Sequence, residues 1–396
     1  MSVTAPSPLH AVEPILRFAD DEYVGRRERT RAAMDRQGIG AAAFTDPINV
    51  AYFTGITTPS YVIRSRPVLL VLGAEGEHAL ICSRGHVPYF STLWAGELVP
   101  YDGLENSAAE ALTATVARLA GPASAVAMEV GAEQRLNLSF DQLAGMRATW
   151  GEERVVDASE VLWAARMRKS PGEIEAVRRS NLVNHESLDI ALAEAAEHRT
   201  EIGTYRRWLA ETAARGADGP HYLGMHTAPV HMDWINSSPT DRRIERGEIL
   251  WMDGGPTIGG YWSDITRTVA FDELDDEAAR GYALAREATA RLMGAIRAGV
   301  AASDVFETTA AFLESEGQPV NRAGRVGHGI GLQLTEAPSL APFDHTVLEE
   351  GMVLAVEPVI STPRGRFAVE ENLVVTSSGF ELLSVPCPEE IPVLGE

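Results

Sequence analysis

The chain has 396 residues, of which 45% are hydrophobic and 23% charged, enough for two domains with sizeable cores. Its net charge of −22 at pH 7 argues against nucleic acid as a partner, because phosphate binding needs a basic face, and no run approaches 18 uninterrupted apolar residues, so no membrane span is expected. Cys82 and Cys387 are too few for a disulfide framework and lack metal-ligand spacing, and Met1 to His10 has neither the basic flank nor the apolar core of a signal peptide; both readings favour a cytoplasmic location.

In chain order, Asp21 to Gln37 reads as a helix stopped by Gly38. Strand-like runs follow at Ala41 to Thr45, Val68 to Leu72, Ala79 to Cys82 and Ala125 to Glu129, the last after a helical stretch from Ala108 to Leu119. This alternation predicts a first α/β domain over residues 1–165. A second domain, 166–396, opens on a helix at Pro171, with Ser170 and Glu173 as a capping box and proline at the first helical position. Helical stretches at Pro171 to Glu197, Ile202 to Arg215, Asp276 to Ala298 and Ala302 to Glu316 alternate with hairpins. Helices followed by a hairpin carrying two acids occur twice, as a duplicated half-domain of α+β type would leave them.

Those hairpins carry the chemistry. Asp253 ends the apolar run Ile249 to Met252, and Asp264 lies eleven residues on, across turns rich in glycine. Glu357 closes Met352 to Val356, the segment Ser361 to Arg366 turns, and Glu370 opens the run ending at Thr376. His328 sits between the pairs in Gly327-His328-Gly329-Ile330-Gly331. Two aspartates alone carry little weight in a chain with 56 acidic residues. The order and the strand-end placement carry more: four carboxylates and one imidazole suit manganese, cobalt, zinc or ferrous iron, and carboxylates can bridge two cations. Without cations, crowded carboxylates at the ends of apolar strands would have to take up protons.

With these motifs the chain resembles the superfamily of methionine aminopeptidase, aminopeptidase P, prolidase and creatinase, whose carboxy-terminal domain is called the pita-bread fold. The likeness runs through Ser263-Asp264-Ile265-Thr266-Arg267-Thr268, the Gly-His-Gly-Ile-Gly-Leu run, Glu357-Pro358 and Glu370-Glu371-Asn372. Upstream it includes the junction Arg168 to Ile174 and the opening Asp46 to Gly55 of a creatinase/prolidase-like first domain. The resemblance implies that Asp253 holds one metal, that Asp264 and Glu370 bridge two, and that His328 and Glu357 complete the other. It makes Glu357 and His328 the catalytic pair, Glu357 as proton shuttle, and manganese the first candidate for both ions. It further implies a homodimer acting on a small peptide or amino-acid derivative.

The departures from the family pattern are specific. Accessory histidines expected at 236, 324 and 335 are Asn236, Gly324 and Thr335, and the arginine usual two places before the last ligand is Ala368. Substitutes for substrate contact are therefore sought in His226 and His231 of the loop read between residues 219 and 231, in Asn236 and Thr335 themselves, in Trp262, and in Arg64 of Tyr61-Val62-Ile63-Arg64-Ser65-Arg66. The expected function is a dinuclear hydrolase of an amide bond, Xaa-Pro peptidase-like. The alternatives are a metal-dependent lyase of the dimethylsulfoniopropionate type, a creatinase- or ectoine-hydrolase-like C–N hydrolase, and a non-catalytic binding module that kept the fold.

Overall fold

A computed structural model describes residues 18–121 and 124–395, so the first ten residues, considered above for a leader, lie outside it. Among the described residues no helix is long and apolar enough to cross a membrane. The chain divides into two compact units, with the break between Arg166 and Met167.

The first unit runs α1 (Asp20–Gln37), β1 (Ile39–Phe44), α2 (Pro47–Thr54), β2 (Leu69–Gly73), β3 (His78–Ser83), α3 (Val87–Phe90), β4 (Glu97–Tyr101), α4 (Glu105–Ala120), β5 (Ala125–Met128), α5 (Phe140–Trp150), β6 (Val155–Asp157) and α6 (Ser159–Arg166). Its mixed sheet has the order β4-β3-β2-β1-β5-β6. Leu112 and Val116 of α4 and Met146 and Trp150 of α5 pack with Ala41, Val71 and Val126 of the strands in one buried core. The short helix α2 begins at Asp46, whose side chain accepts from the Ile48 N–H, and ends at Gly55 with a φ of 68°. Carbonyls late in α2, which no helical N–H can reach, are taken by α1: Arg26 donates to the Tyr52 carbonyl at 2.9 Å and Arg27 to that of Phe53 at 2.6 Å.

The second unit is two copies of one plan. The first half has α7 (Pro171–His198), α8 (Glu201–Ala214), β7 (Tyr222–Ala228), β8 (Ile249–Gly255), the small hairpin β9 (Thr257–Ile258) and β10 (Tyr261–Trp262), and β11 (Ile265–Phe271). The second has α9 (Asp276–Ala295), α10 (Ala302–Ser315), β12 (Gly327–Gly329), β13 (Glu336–Ser339), β14 (Val353–Val356), the ribbon β15 (Val359–Thr362) and β16 (Gly365–Ala368), β17 (Glu371–Val375), β18 (Phe380–Leu382) and β19 (Val393–Leu394). The sheets are ordered β19-β11-β8-β7 and β13-β12-β14-β17-β18. Thus β7-β8-β11 and β12-β14-β17 are equivalent antiparallel trios, each behind a pair of helices.

The capping box at Ser170 and Glu173 forms as expected, with Pro171 in the first turn. One sequence expectation is corrected and another is extended. The segment read as a loop around His226 is the strand β7, paired along its length with β8 from Tyr222↔Gly255 to Ala228↔Ile249. The turn read at Ser361 to Arg366 is there, at the tip of the two-stranded ribbon β15–β16 that was not expected.

Candidate metal centre

Strand alternation decides which side chains face the site. On β7 and β8, Leu223, Met225, Leu250 and Met252 enter one apolar core, as do Ile265 and Val269 of β11. Their neighbours therefore face the other way, in three cross-strand rows: Gly224–Asp253–Thr266, then His226–Trp251–Thr268, then Ala228–Ile249–Ala270. In the second half Leu354, Val356, Leu373 and Val375 enter a core. The row His328–Ala355–Asn372 faces away from it.

Asp253 lies in the central strand of its trio, and Glu357 directly follows the central strand of the other; Asp264 directly precedes β11 and Glu370 directly precedes β17. The duplicated plan thus places the acids at matching positions. Ligand atoms of Asp264, His328 and Glu370 all lie within 4.8 Å of one another, and all three residues are buried. His328 Nε2 is 3.6 Å from Asp264 and 3.4 Å from Glu357. Its Nδ1 is 2.9 Å from the Gly329 carbonyl, an arrangement that leaves Nε2 toward the acids when Nδ1 carries the proton. The Thr266 hydroxyl donates to Glu370 at 2.8 Å and reaches Asp253 at 3.3 Å.

Electrostatically the cluster is unfavourable as bare protein. Burial, then the Glu357 carboxylate, pushes the Asp253 carboxyl up to about 6. Burial, then the neighbouring acids, holds Asp264 and Glu370 well above the ordinary carboxyl range. Glu370 is fully buried, and its Oε1 has no hydrogen-bond partner. A buried carboxylate oxygen with no donor, among acids that repel it, fits a cation, and the donor set of carboxylates plus one imidazole fits a divalent one.

Residues beyond the expected five set the geometry. Asn372 accepts from the Asp264 N–H at 3.0 Å and donates to the Asp264 carbonyl at 2.7 Å, fixing that backbone across the two sheets. Arg267 donates to the Thr266 carbonyl at 2.9 Å and the Glu370 carbonyl at 3.1 Å. Lys169 and Glu336 form a buried ion pair at 3.0 Å, and Glu336 also accepts from the Gln333 N–H at 3.0 Å, which pins the loop after Gly331. The Tyr222 hydroxyl donates to Asn236 at 2.8 Å, strand alternation puts Tyr222 on the same face as Gly224 and Asp253, and burial, then Asp253 and the other three acids, raises its pKa. Asn236 at a φ of 53° packs beside Gly224, which pairs with Asp253.

The other candidates separate. Trp262 is buried in β10, its N–H bonded to the Gly331 carbonyl at 2.9 Å, so it lies against the glycine-rich histidine segment. Thr335 is half-buried in the loop before β13. His226 is buried and stacked on Trp251 with ring centroids 4.8 Å apart; it is no solvated loop residue. His231 stacks on Trp234 at 3.7 Å beyond the end of β7. Arg64 is an exposed residue of the first unit, after the turn Pro59–Val62. Sequence reasoning missed Tyr222 altogether. The signal that finds it is its register, two residues before the glycine opposite Asp253.

Residues 175–377 match metallopeptidase family M24, and residues 26–168 match the creatinase/prolidase N-terminal domain. The chain belongs to metallopeptidase family M24. Over 363 residues it is 24% identical to an Xaa-Pro dipeptidase of Pyrococcus furiosus, covering 91% of this chain and 97% of that one. The solved structure of an Xaa-Pro dipeptidase from Bacillus anthracis superposes with a TM-score of 0.80 at 24% identity, over 94% of this chain and all of that one. The N-terminal domain of a FACT complex subunit from chickpea shares the fold at a TM-score of 0.73 and 13% identity, over 93% of this chain and 97% of that one. At such identities the structures establish the fold, and the fold alone does not fix an activity.

Proposed function

We propose that this chain is a dinuclear metal-dependent hydrolase of the amide bond in small peptides, Xaa-Pro dipeptidase-like in its reaction. The observation that carries the reading is the buried convergence of Asp264, His328 and Glu370, with Asp253 and Glu357 at matching strand positions, and a Glu370 oxygen that no protein donor reaches. Asp253, Asp264, His328, Glu357 and Glu370 would hold two divalent cations, with Asp264 and Glu370 shared between them and manganese the first candidate. When bound, the cations supply a Lewis acid for the amide carbonyl and a lowered pKa for the attacking water.

Glu357 is partly exposed, its side chain 27% accessible against 3% for His328 and 7% for Asp264, and of the other acids only Asp253 is also partly exposed. It is therefore suited to take a proton from the nucleophile and pass it to the leaving nitrogen, while the buried acids stay in place. Tyr222 with Asn236, and Thr335, supply polar contacts to substrate where relatives of the proline-directed kind use histidine. That replacement also keeps the alternative open: a lyase or non-peptide C–N hydrolase on the same scaffold. A cytoplasmic homodimer is the accompanying proposal, and sedimentation of the purified protein tests its stoichiometry.

The discriminating experiment incubates manganese-loaded protein with a panel of dipeptides and amides. Release of free amine, abolished by EDTA, supports the hydrolase. An ultraviolet-absorbing unsaturated product from a β-substituted acid supports the lyase instead. Metal-loaded protein inert to the whole peptide panel refutes the first reading. Asp264→Ala is expected to lose metal together with activity, and near-normal metal content in that variant would refute its bridging role.

A further inference from the structure

Asp264 and Glu370 sit just outside their sheets. The ladder of β11 with β8 begins at Ile265 and that of β17 with β14 at Glu371, so strand pairing stops one residue short of either acid. Their ligand atoms lie within 4.8 Å of one another, and the Asp264 charge adds to the cost of ionising Glu370. Something other than the ladders must hold two such groups together. Each hold comes from the opposite half of the unit. Two residues after Asp264, the Thr266 hydroxyl donates to the Glu370 carboxylate at 2.8 Å. Two residues after Glu370, the Asn372 carboxamide accepts from the Asp264 N–H at 3.0 Å and donates to the Asp264 carbonyl at 2.7 Å. These positions correspond in the duplicated plan, because Asp264 and Glu370 each directly precede the third strand of their trio.

The hold on Asp264 copies a strand pair, since one partner takes both the N–H and the C=O of a single residue and so fixes its orientation as well as its distance. The hold on Glu370 is doubled by Arg267, which donates to the Glu370 carbonyl at 3.1 Å. Thr266 is 1% and Asn372 0% exposed, so water does not compete for these bonds. Asn372 is itself braced from behind: its N–H donates to Ser384 Oγ at 3.1 Å, and its carbonyl accepts from the Leu383 N–H at 2.8 Å. The links run in opposite directions and close a ring through Asp264, Thr266, Glu370 and Asn372. In such a ring each link keeps the other in register.

We propose that Thr266 and Asn372 form one reciprocal clamp, a pair of positioning residues that fixes the separation of Asp264 and Glu370 and makes cation uptake depend on both links at once. The inference rests on the dinuclear reading and deepens it. The test titrates manganese into EDTA-treated wild type, Thr266→Val, Asn372→Ala and the double variant by calorimetry, with melting temperatures of the treated and loaded proteins alongside. Each single substitution should weaken manganese binding by roughly 10–100-fold. The double variant should lie within about twofold of the weaker single one, and Thr266→Ser within about twofold of the wild type. Losses that multiply in the double variant overturn the clamp, because independent supports add in free energy. Unchanged affinity, with treated and loaded melting temperatures lowered equally, also overturns it and leaves both residues as scaffold. A second measurement needs no metal. Amide exchange at Asp264 in EDTA-treated protein should quicken roughly tenfold in Thr266→Val, although that substitution leaves the Asn372 side chain in place. An amide as protected as in the wild type overturns the clamp, even where Asn372→Ala fails to fold. The two proposals fail separately. Wild type without manganese but with quickened exchange in Thr266→Val sinks the dinuclear reading and keeps the clamp, whereas manganese-dependent peptide cleavage with multiplying losses does the reverse.

Discussion

Stripping the metal should make this protein's stability fall as pH rises through the weakly acidic range. Asp253 has an ordinary carboxyl value of 3.8 when unfolded and about 6 when folded. The folded state therefore binds more protons between those values, and stability is present below pH 4 and lost as pH rises toward 6 and above. At 1.36 kcal/mol per pH unit the loss from this one group is about 3 kcal/mol. Asp264 and Glu370 act in the same direction. For a unit of this size about 3 kcal/mol corresponds to roughly 6–12 °C in Tm. A divalent cation replaces the missing protons, so the gap between manganese-loaded and EDTA-treated protein should widen by about 1.4 kcal/mol, roughly 3–6 °C, from pH 5 to pH 7.5, the rest of the loss falling below pH 5. Differential scanning calorimetry at both pH values reads it. The comparison cancels groups elsewhere in the chain, since they titrate alike in both samples. In Asp253→Asn, EDTA-treated protein should lose about 1.4 kcal/mol of the pH dependence over this range. Parallel loaded and stripped curves over this range would refute the assignment of the buried acids to a cation site.

Three further outcomes are expected. Lys169→Met should destabilise the fold by about 3–5 kcal/mol, because it leaves the Glu336 carboxylate buried without its partner; a denaturation change below about 1 kcal/mol contradicts this, and Lys169→Met with Glu336→Met should recover much of the loss. Asn372→Ala removes both bonds to the Asp264 backbone, and metal affinity should drop by roughly 10–100-fold while the protein stays folded; titration of stripped protein with manganese shows it. Glu357→Gln should lower kcat by roughly 10²–10⁴-fold with little change in substrate KM, and a variant of near-normal turnover rules out a proton-shuttle role.

The acids were legible because the chemistry demands particular residue types at strand ends, and strand ends are marked by where apolar runs stop. The duplicated helix–hairpin order was legible for the same reason. What escaped was set by partners far away in sequence. Strand β7 carries glycine, histidine and threonine between Pro220 and Pro229, so its composition reads as loop; its pairing with β8 makes it strand and turns His226 inward. Helix α2 is eight residues long and apolar nearly all round, with no period to detect. Asn372 shows no role in sequence, since its target, the Asp264 backbone, is 108 residues away. Lys169 and Glu336 are separated by 167 residues and look like any two surface charges until both are seen buried.

The same reasoning explains the polar stripe on α7, which a helix facing a core would not carry. Just after Asp253, at the end of β8, Gly254 adopts a φ of 126° that a side chain would resist and a Cβ on Gly255 would strike the Ser263 hydroxyl. Beyond it the chain turns back through the β9–β10 hairpin, and Asp264 lies beside Glu370 and His328. Buried carbonyls around this turn need donors. Asn184 donates to the Gly254 carbonyl at 2.8 Å and Ser180 to the Pro256 carbonyl at 2.8 Å, while the Tyr261 hydroxyl donates back to Glu173 at 2.7 Å. Positions 173, 180 and 184 lie on one face of the helix, and that face is buried. The turn that leads from Asp253 to Asp264 and the polar face that bonds to it therefore belong together. The helix that opens the second unit is constrained by the acidic cluster it supports.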